Sequence, residues 1–378
     1  MKLILDTFLR EVNEKTTVND QYPVLTSSKA GIFLQSDYFN KQVASRENIG
    51  YKVIRRGQFT YRAMSDTGEF FPNMLDCTDI GIVSPAYPVF EITKPDVIIP
   101  EFLKYYFKSK IFQHSIASFA QGSTRTSIKF GKLKTVTINL PSHEKQVQVI
   151  KILDKVNKLI QDRTKELLKM EELIQARFVE LFGDAKSNPY GFEKRPLKET
   201  CTVITGNTPS RSVSEYYGDS IEWIKTDNIV AGQLNPSQAL EYLSDKGVKV
   251  GRTVEKGAIL MACIAGSVAS IGRVCITDRK VAFNQQINAV VPEEYDPLFL
   301  HAMLQISKEY LVEDINMALK GILSKSKLES KEFIVPPMKQ QKEFATFIAQ
   351  VDKSKAAVQA ALDKAQLLFD SLMQEYFG

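Results

Sequence analysis

The sequence predicts an α+β chain: two globular blocks of mixed strand and helix, each followed by a long helix. The two helices are expected to pair as an antiparallel coiled coil about a pseudo-twofold axis. Three observations carry that expectation. Residues 140–183 align without a gap on residues 335–378, with ten of the 44 pairs identical, and an internal repeat is placed before any other element. Each copy carries a sustained apolar heptad stripe. Between the copies the stripe gives way to short strand-like runs punctuated by Gly and Pro. The expected organisation is a first block at 1–140, a first helix at 141–184, a second block at 185–335 and a second helix at 336–378.

Steps of four and three from Val149 reach Leu153, Val156, Ile160, Arg163, Leu167, Met170, Ile174, Arg177 and Leu181. The same steps from Phe344 reach Ile348, Val351, Lys355, Val358, Leu362, Ala365, Phe369, Leu372 and Tyr376. Only Arg163, Arg177 and Lys355 interrupt the apolar series, so each copy reads as one helix seeking a partner. Val149, Leu153, Val156, Ile160, Leu167 and Ile174 should form the seam with Phe344, Ile348, Val351, Val358, Leu362 and Phe369. About 40 residues at 1.5 Å each give a rod of roughly 60 Å. Pro141 and Pro336 stand where a first turn tolerates proline, and Gly183 and Gly378 where a helix stops. Two unrelated amphipathic helices on separate domains are the alternative. They leave unexplained why Pro141, Gln146 and Phe182 recur as Pro336, Gln341 and Phe377. If each block sits at the start of its helix, a twofold axis places the blocks at opposite ends of the rod.

In the first block, residues 51–54 and 136–140 read as strands, with turns at Gly57, Gly68, Pro72, Gly81, Pro85 and Pro88 and a helix from Pro100 to about Phe119. The second block reads as strands at 221–225, 258–263, 274–277 and 287–291, then a helix from Pro297 to about Leu311. Both are α+β globules with the helix late.

The 44 % hydrophobic and 25 % charged composition is that of a folded soluble chain. No run approaches the ~20 apolar residues of a membrane span, so a cytoplasmic protein without a membrane partner is expected. Cys77, Cys201, Cys263 and Cys275 form no Cys-x-x-Cys pair, and His114, His143 and His301 are scattered, which argues against a metal site or a disulfide framework. The net charge of +5 lies wholly in residues 1–140. A basic first block suits nucleic acid, whereas a neutral second block argues against gripping a phosphate backbone unaided.

The order of parts, with Leu140, Pro141 and Gln146 at the helix start and Leu181, Phe182 and Gly183 at its end, resembles the DNA-specificity subunit of Type I restriction-modification systems. In the first block, residues 24–28 with Gly31, residues 51–54 with Gly57, Phe59 and Tyr61, and residues 81–85 with Tyr87 are similar to one common type of target recognition domain. Residues 257–260, 266–272 with Ser270 and Ile271, and Asn284, Gln285 and Ile287 are similar to another. The resemblance covers essentially the whole chain. It implies two unlike recognition domains, hence two different half-sites in an asymmetric, bipartite DNA target. It also implies docking of two methyltransferase subunits and of two restriction (nuclease/translocase) subunits, with S-adenosylmethionine, ATP and Mg on those partners and no cofactor on this chain.

The family subunit does no chemistry, and the residues agree. The nearest string to an adenine-methylating motif, Asn235, Pro236, Ser237 and Gln238, lacks the second proline and the aromatic that would stack on a flipped base. Residues 266–272 followed by Arg273 imitate a phosphate loop, but the glycines are one residue too far apart and no Lys-Ser/Thr follows, so a turn between strands is expected. No carboxylate cluster with a following lysine marks a nuclease.

Base reading needs paired donors and acceptors on loops that reach a groove. The first block offers Ser27, Ser28, Lys29 and Arg62, and the run containing Gln121, Ser123, Thr124 and Arg125. The second offers Asn207, Thr208, Ser210 and Arg211, then Lys225, Thr226 and Asn228, then Ser267, Ser270 and Arg273, and finally Gln285 and Gln286. Polar turn residues also cap and solvate, and Asn284, Gln285 and Gln286 could equally satisfy backbone groups inside the globule. Two other readings stand beside the DNA reader: an enzyme acting alone on DNA, and a coiled-coil scaffold with no DNA role.

Overall fold

The computed structural model describes residues 2–38, 47–119, 126–184, 186–264, 270–313, 315 and 321–378. The chain forms two compact units, Met1–Arg163 with Ala361–Gly378, and Thr164–Ala360. Each unit combines one globular block with the start of one long helix and the end of the other. The long helices are His143–Phe182 and Met338–Phe377.

In the first unit, Lys2–Ile4 pairs antiparallel with Thr137–Asn139. A four-stranded antiparallel sheet runs in the order Leu9–Val12, Val89–Ile92, Phe59–Thr60, Asn73–Met74. Its aromatic core stacks Phe59 on Phe90 at 5.4 Å and sets Phe107 edge-on to both. The helix Pro100–Tyr106 closes this core, and Phe102 meets Phe377 at 5.1 Å. Val149 and Leu153, from the start of the first long helix, share one apolar cluster with Met373 and Phe377 from the end of the second. The two helices therefore run antiparallel here.

The second unit repeats the frame. Lys194–Pro196 pairs with Glu332–Ile334, and Cys201–Thr205 pairs with Ile287–Pro292 in a four-stranded sheet completed by Ile259–Ala262 and Val274–Ile276. Phe299 on the helix Pro297–Ile306 packs 5.0 Å from Phe182 and 6.2 Å from Phe344. The end of the first long helix again meets the start of the second, and Lys355 pairs with Glu171 at 3.4 Å. This unit adds a five-stranded sheet in which Ile221–Ile224 runs parallel to Val281–Phe283.

All twenty positions of the heptad stripe are buried or half-buried. Burial is deepest at Val149, Leu153, Phe344 and Ile348, next to the globular cores, and only partial at Leu167 and Leu362. The repeated glutamine has a structural task. Gln146 Oε1 accepts from Ile99 N at 3.0 Å while Nε2 donates to the Val97 and Pro141 carbonyls at 2.9 and 3.1 Å. Gln341 does the same with Asp296 N at 2.9 Å and the Glu294 and Pro336 carbonyls at 3.3 and 2.8 Å. Each glutamine ties its long helix to the residue that caps the block's late helix.

Two expectations shift. The prolines stand two residues before the helices rather than in the first turn, and at the first helix Ser142 Oγ accepts from Lys145 N at 3.3 Å. Each late helix is also two helices. Ser109 Oγ caps a fresh start for Lys110–Ala117 by accepting from Phe112 N, and a break at Ser307 separates Pro297–Ile306 from Lys308–Val312. Among the described residues no helix is long and apolar enough to cross a membrane.

Candidate nucleic-acid interface

In the first block the hairpin Leu25–Ser27 with Ile32–Leu34 sets Ser27, Ser28 and Lys29 along one wall of a cavity of about 790 Å³, with Arg62 on the same lining. Asn73 fixes the hairpin by donating to Ser27 Oγ at 3.0 Å and to the Ser28 carbonyl at 2.8 Å. Each cation has an acid beside it. Lys29 lies 3.3 Å from Glu69 and 5.2 Å over the Phe71 ring, and Arg62 lies 3.8 Å from Asp66. Tyr87, also on the lining, has its hydroxyl pushed up by burial, against the pull of Arg62 and a bond to Thr26. Gln121, Ser123, Thr124 and Arg125 lie outside the described residues, as does Ser267.

In the second block the candidates divide. Thr208, Arg211, Lys225 and Gln285 gather around Trp223. Gly206 makes this possible: a Cβ there would lie 2.2 Å from the Asn284 carbonyl, so only glycine lets the loop lie against that strand end. Trp223 Nε1 donates to the Asn207 carbonyl at 3.3 Å, Tyr217 donates to the Pro209 carbonyl at 2.6 Å, and Thr208 donates to Gln285. Arg211 sits 4.4 Å over Tyr217 and 5.0 Å over Trp223, and Lys225 sits 5.0 Å over Trp223. Glu241 joins the two cations, 2.6 Å from Arg211 and in contact with Lys225. The bond from Lys225, with help from Arg211, holds its carboxyl below the usual carboxylate range.

Other candidates hold the loops in shape. Asn207 donates to the Val250 carbonyl and accepts from Arg252 N, both at 2.8 Å. Asn228 accepts from Lys225 N at 3.0 Å and donates to Ser237 Oγ and the Gln238 carbonyl, both at 3.1 Å. Ser210 pairs with Ser212 at 2.8 Å, Thr226 opens the single turn Thr226–Asn228, and Gln286 accepts from Asn284 at 3.2 Å. Ser270 and Arg273 sit before Val274–Ile276, and Arg273 lines a separate cavity of about 550 Å³ with Glu171, His301, Lys308 and Asp352.

Sequence reasoning did not single out Tyr217, Trp223 or Glu241. One signal was available: Trp223 and Lys225 stand two apart at a strand end, which puts them on one face. Glu241 reaches the site through chain pairing that no local pattern announces. Among the described residues no group of three or more His, Cys, Asp or Glu could hold a metal ion.

The family model of the Type I restriction modification DNA specificity domain matches residues 13–170 and again residues 189–365. The chain belongs to that family. Each match spans one block and most of the long helix that follows it. Among similar proteins, the Type I restriction enzyme HindI specificity subunit of Haemophilus influenzae is 20 % identical over 350 residues, covering 72 % of this chain and 75 % of that protein. The MjaIX specificity subunit of Methanocaldococcus jannaschii is 24 % identical over 321 residues, covering 78 % and 66 %. The crystal structure of a Type I S subunit from M. genitalium shares the fold with a TM-score of 0.59 at 13 % identity, covering 100 % of this chain and 96 % of that one. A second structure, from a study of complex assembly and conformational transition of the type I R-M system, gives 0.56 at 16 % identity, covering 100 % and 97 %. The fold of this specificity-family chain is thus α+β, with two globular domains and two long antiparallel helices.

Proposed function

We propose that the chain is the non-catalytic reader of a Type I complex. Each block reads one half of an asymmetric, bipartite DNA target, and the long helices set the unread spacer and dock two methyltransferase subunits, with restriction subunits joining the assembly. S-adenosylmethionine, ATP and Mg belong on those partners. The observation that carries the reading is that one repeated helix-and-glutamine frame presents two chemically unlike polar surfaces. One is the hairpin-walled cavity with Ser27, Ser28, Lys29 and Arg62; the other is the Trp223 surface with Thr208, Arg211, Lys225 and Gln285. Unlike surfaces on like frames suit two different half-sites. Cations stacked on aromatic rings and paired amide or hydroxyl groups are the chemistry that base edges and phosphates engage.

Docking through the helices is supported by their outward faces. Large apolar side chains stay exposed along both, among them Ile152, Leu168, Leu173, Leu367 and Leu368, and neither helix carries a net charge that would favour phosphate over protein.

The test is to sequence methylated bases in DNA from cells expressing the chain with its methyltransferase. The expected motif has two different short sequences separated by an unread spacer. A palindromic or uninterrupted motif, or methylation that persists unchanged without the chain, would overturn the proposal.

A further inference from the structure

The repeat makes the two units comparable position by position, and at one junction they differ. The repeated glutamines hold the Ile99 and Asp296 amides, so Tyr105 in the first late helix corresponds to Ala302 in the second. The aligned long helices likewise set Phe369 against Ile174 and Asp154 against Ala349. In the first unit Tyr105 fills the junction. Its ring lies 6.2 Å from Phe369, its hydroxyl donates to Asp154 at 2.5 Å, and it is 5 % exposed. The second unit has none of the three, and Ala302, Ile174 and Ile348 line the cavity of about 550 Å³. That volume lies within the roughly 300 to 1,000 Å³ of small-molecule sites.

The second junction retains an acceptor. Asp352, one turn beyond Ala349 on the same helix, is half-buried on the lining. Burial raises its carboxyl above the usual carboxylate range, against the pull of Lys355. Asp352 Oδ2 and His301 Nε2, both buried at this wall, have no partner among the described residues. A buried acceptor without a donor costs free energy that an incoming donor returns. Around the lining Glu171, Glu172 and Asp352 balance Arg273, Lys308 and Lys355, so no net charge favours an ion over a neutral molecule.

We propose that this cavity binds a neutral aromatic ring carrying a hydrogen-bond donor, a phenol or an indole, with the ring against Ala302, Ile174 and Ile348 and the donor on the Asp352 carboxylate. The ring takes the place that Tyr105 takes in the first unit. Two sources supply this chemistry. One is a free aromatic compound. The other is a tyrosine or tryptophan of the docked methyltransferase, for which Leu168 on the lining stands 57 % exposed. Aromatic side chains set in pockets are common anchors of protein interfaces. Only the second source rests on the docking reading.

The experiment titrates the purified full chain by ligand-observed NMR with p-cresol, and with toluene as the ring that lacks a donor. p-Cresol should bind about tenfold more tightly than toluene, and Asp352→Ala should remove that preference. Ala302→Tyr, which copies the filling of the first unit, should abolish binding of both probes, and a crystal structure with p-cresol should show the ring on Ala302. Should Ala302→Tyr fail to fold, Ile174→Phe narrows the same cavity and should weaken both probes. No preference for p-cresol over toluene, a ring bound elsewhere, or binding that is unchanged in the variant that folds would overturn the proposal. Adding the methyltransferase separates the sources. If it displaces p-cresol and assembles more weakly with Ala302→Tyr, the ring is the partner's; if p-cresol stays bound and assembly is unchanged, the ligand is a free aromatic. The docking reading fails separately, as a lack of assembly between the parent chain and the methyltransferase.

Discussion

Replacing Gln341 by Leu removes the clamp between the second long helix and the second block with almost no change of volume. Gln341 is 1 % exposed, so water cannot take over its bonds. Three bonds go, at 2.8 to 3.3 Å, leaving the Asp296 amide and the Glu294 and Pro336 carbonyls without this partner. A net bond is worth about 1 kcal/mol, and a buried group left unpaired costs roughly 1 to 3 kcal/mol. Part of that is recovered by relaxation around the part-buried Glu294 carbonyl, so the expected loss is about 3 to 5 kcal/mol. The chain contains one tryptophan, and Trp223 lies in the same unit as Gln341. Its fluorescence therefore follows urea unfolding of that unit. The midpoint should fall markedly for Gln341→Leu and hardly at all for Gln340→Leu, the exposed neighbour. Equal small effects at both positions would refute the clamp and with it the physical account of why this glutamine recurs.

Burial pushes the His301 imidazole down to about 4, although one ring nitrogen bonds the Val274 backbone, and Nε2 has no partner among the described residues. The folded form thus binds fewer protons than the unfolded chain between pH 6.5 and about 4. Stability of the second unit should be full above that window and decline by about 3 kcal/mol as pH falls through it. Asp352, raised by burial, opposes the trend; His301→Phe should flatten the dependence of the Trp223 midpoint on pH. In the helix pair, Leu153→Asp or Ile348→Asp should cost several kcal/mol by burying an unpaired charge, and Leu167→Asp or Leu362→Asp clearly less, as denaturant titration would register. The isolated chain should bind DNA weakly, since its +5 excess neutralises few phosphates, and adding the methyltransferase should steepen the salt dependence of binding.

The helices and their seam were legible because heptad period and repeat are local and written twice. The glutamine was visible as a repeat, but its reason was not: its partners, Val97, Ile99, Glu294 and Asp296, are 45 to 49 residues away. The breaks at Ser109 and Ser307 were hidden because a serine inside an apolar period reads equally as a tolerated helical residue or as a cap. Around Trp223, residue type singled out Arg211 and Lys225 together with Asn207 and Asn228, whose amides hold backbone groups. Only the fold brings Glu241 to both cations.

The central claim, that two unlike readers sit on one repeated frame, is tested most directly by exchanging residues 1–140 for another recognition domain of the family and sequencing the methylated motif before and after. The account predicts that one half of the motif changes while the other half and the spacer stay as they were. A change in both halves, or in neither, would contradict it.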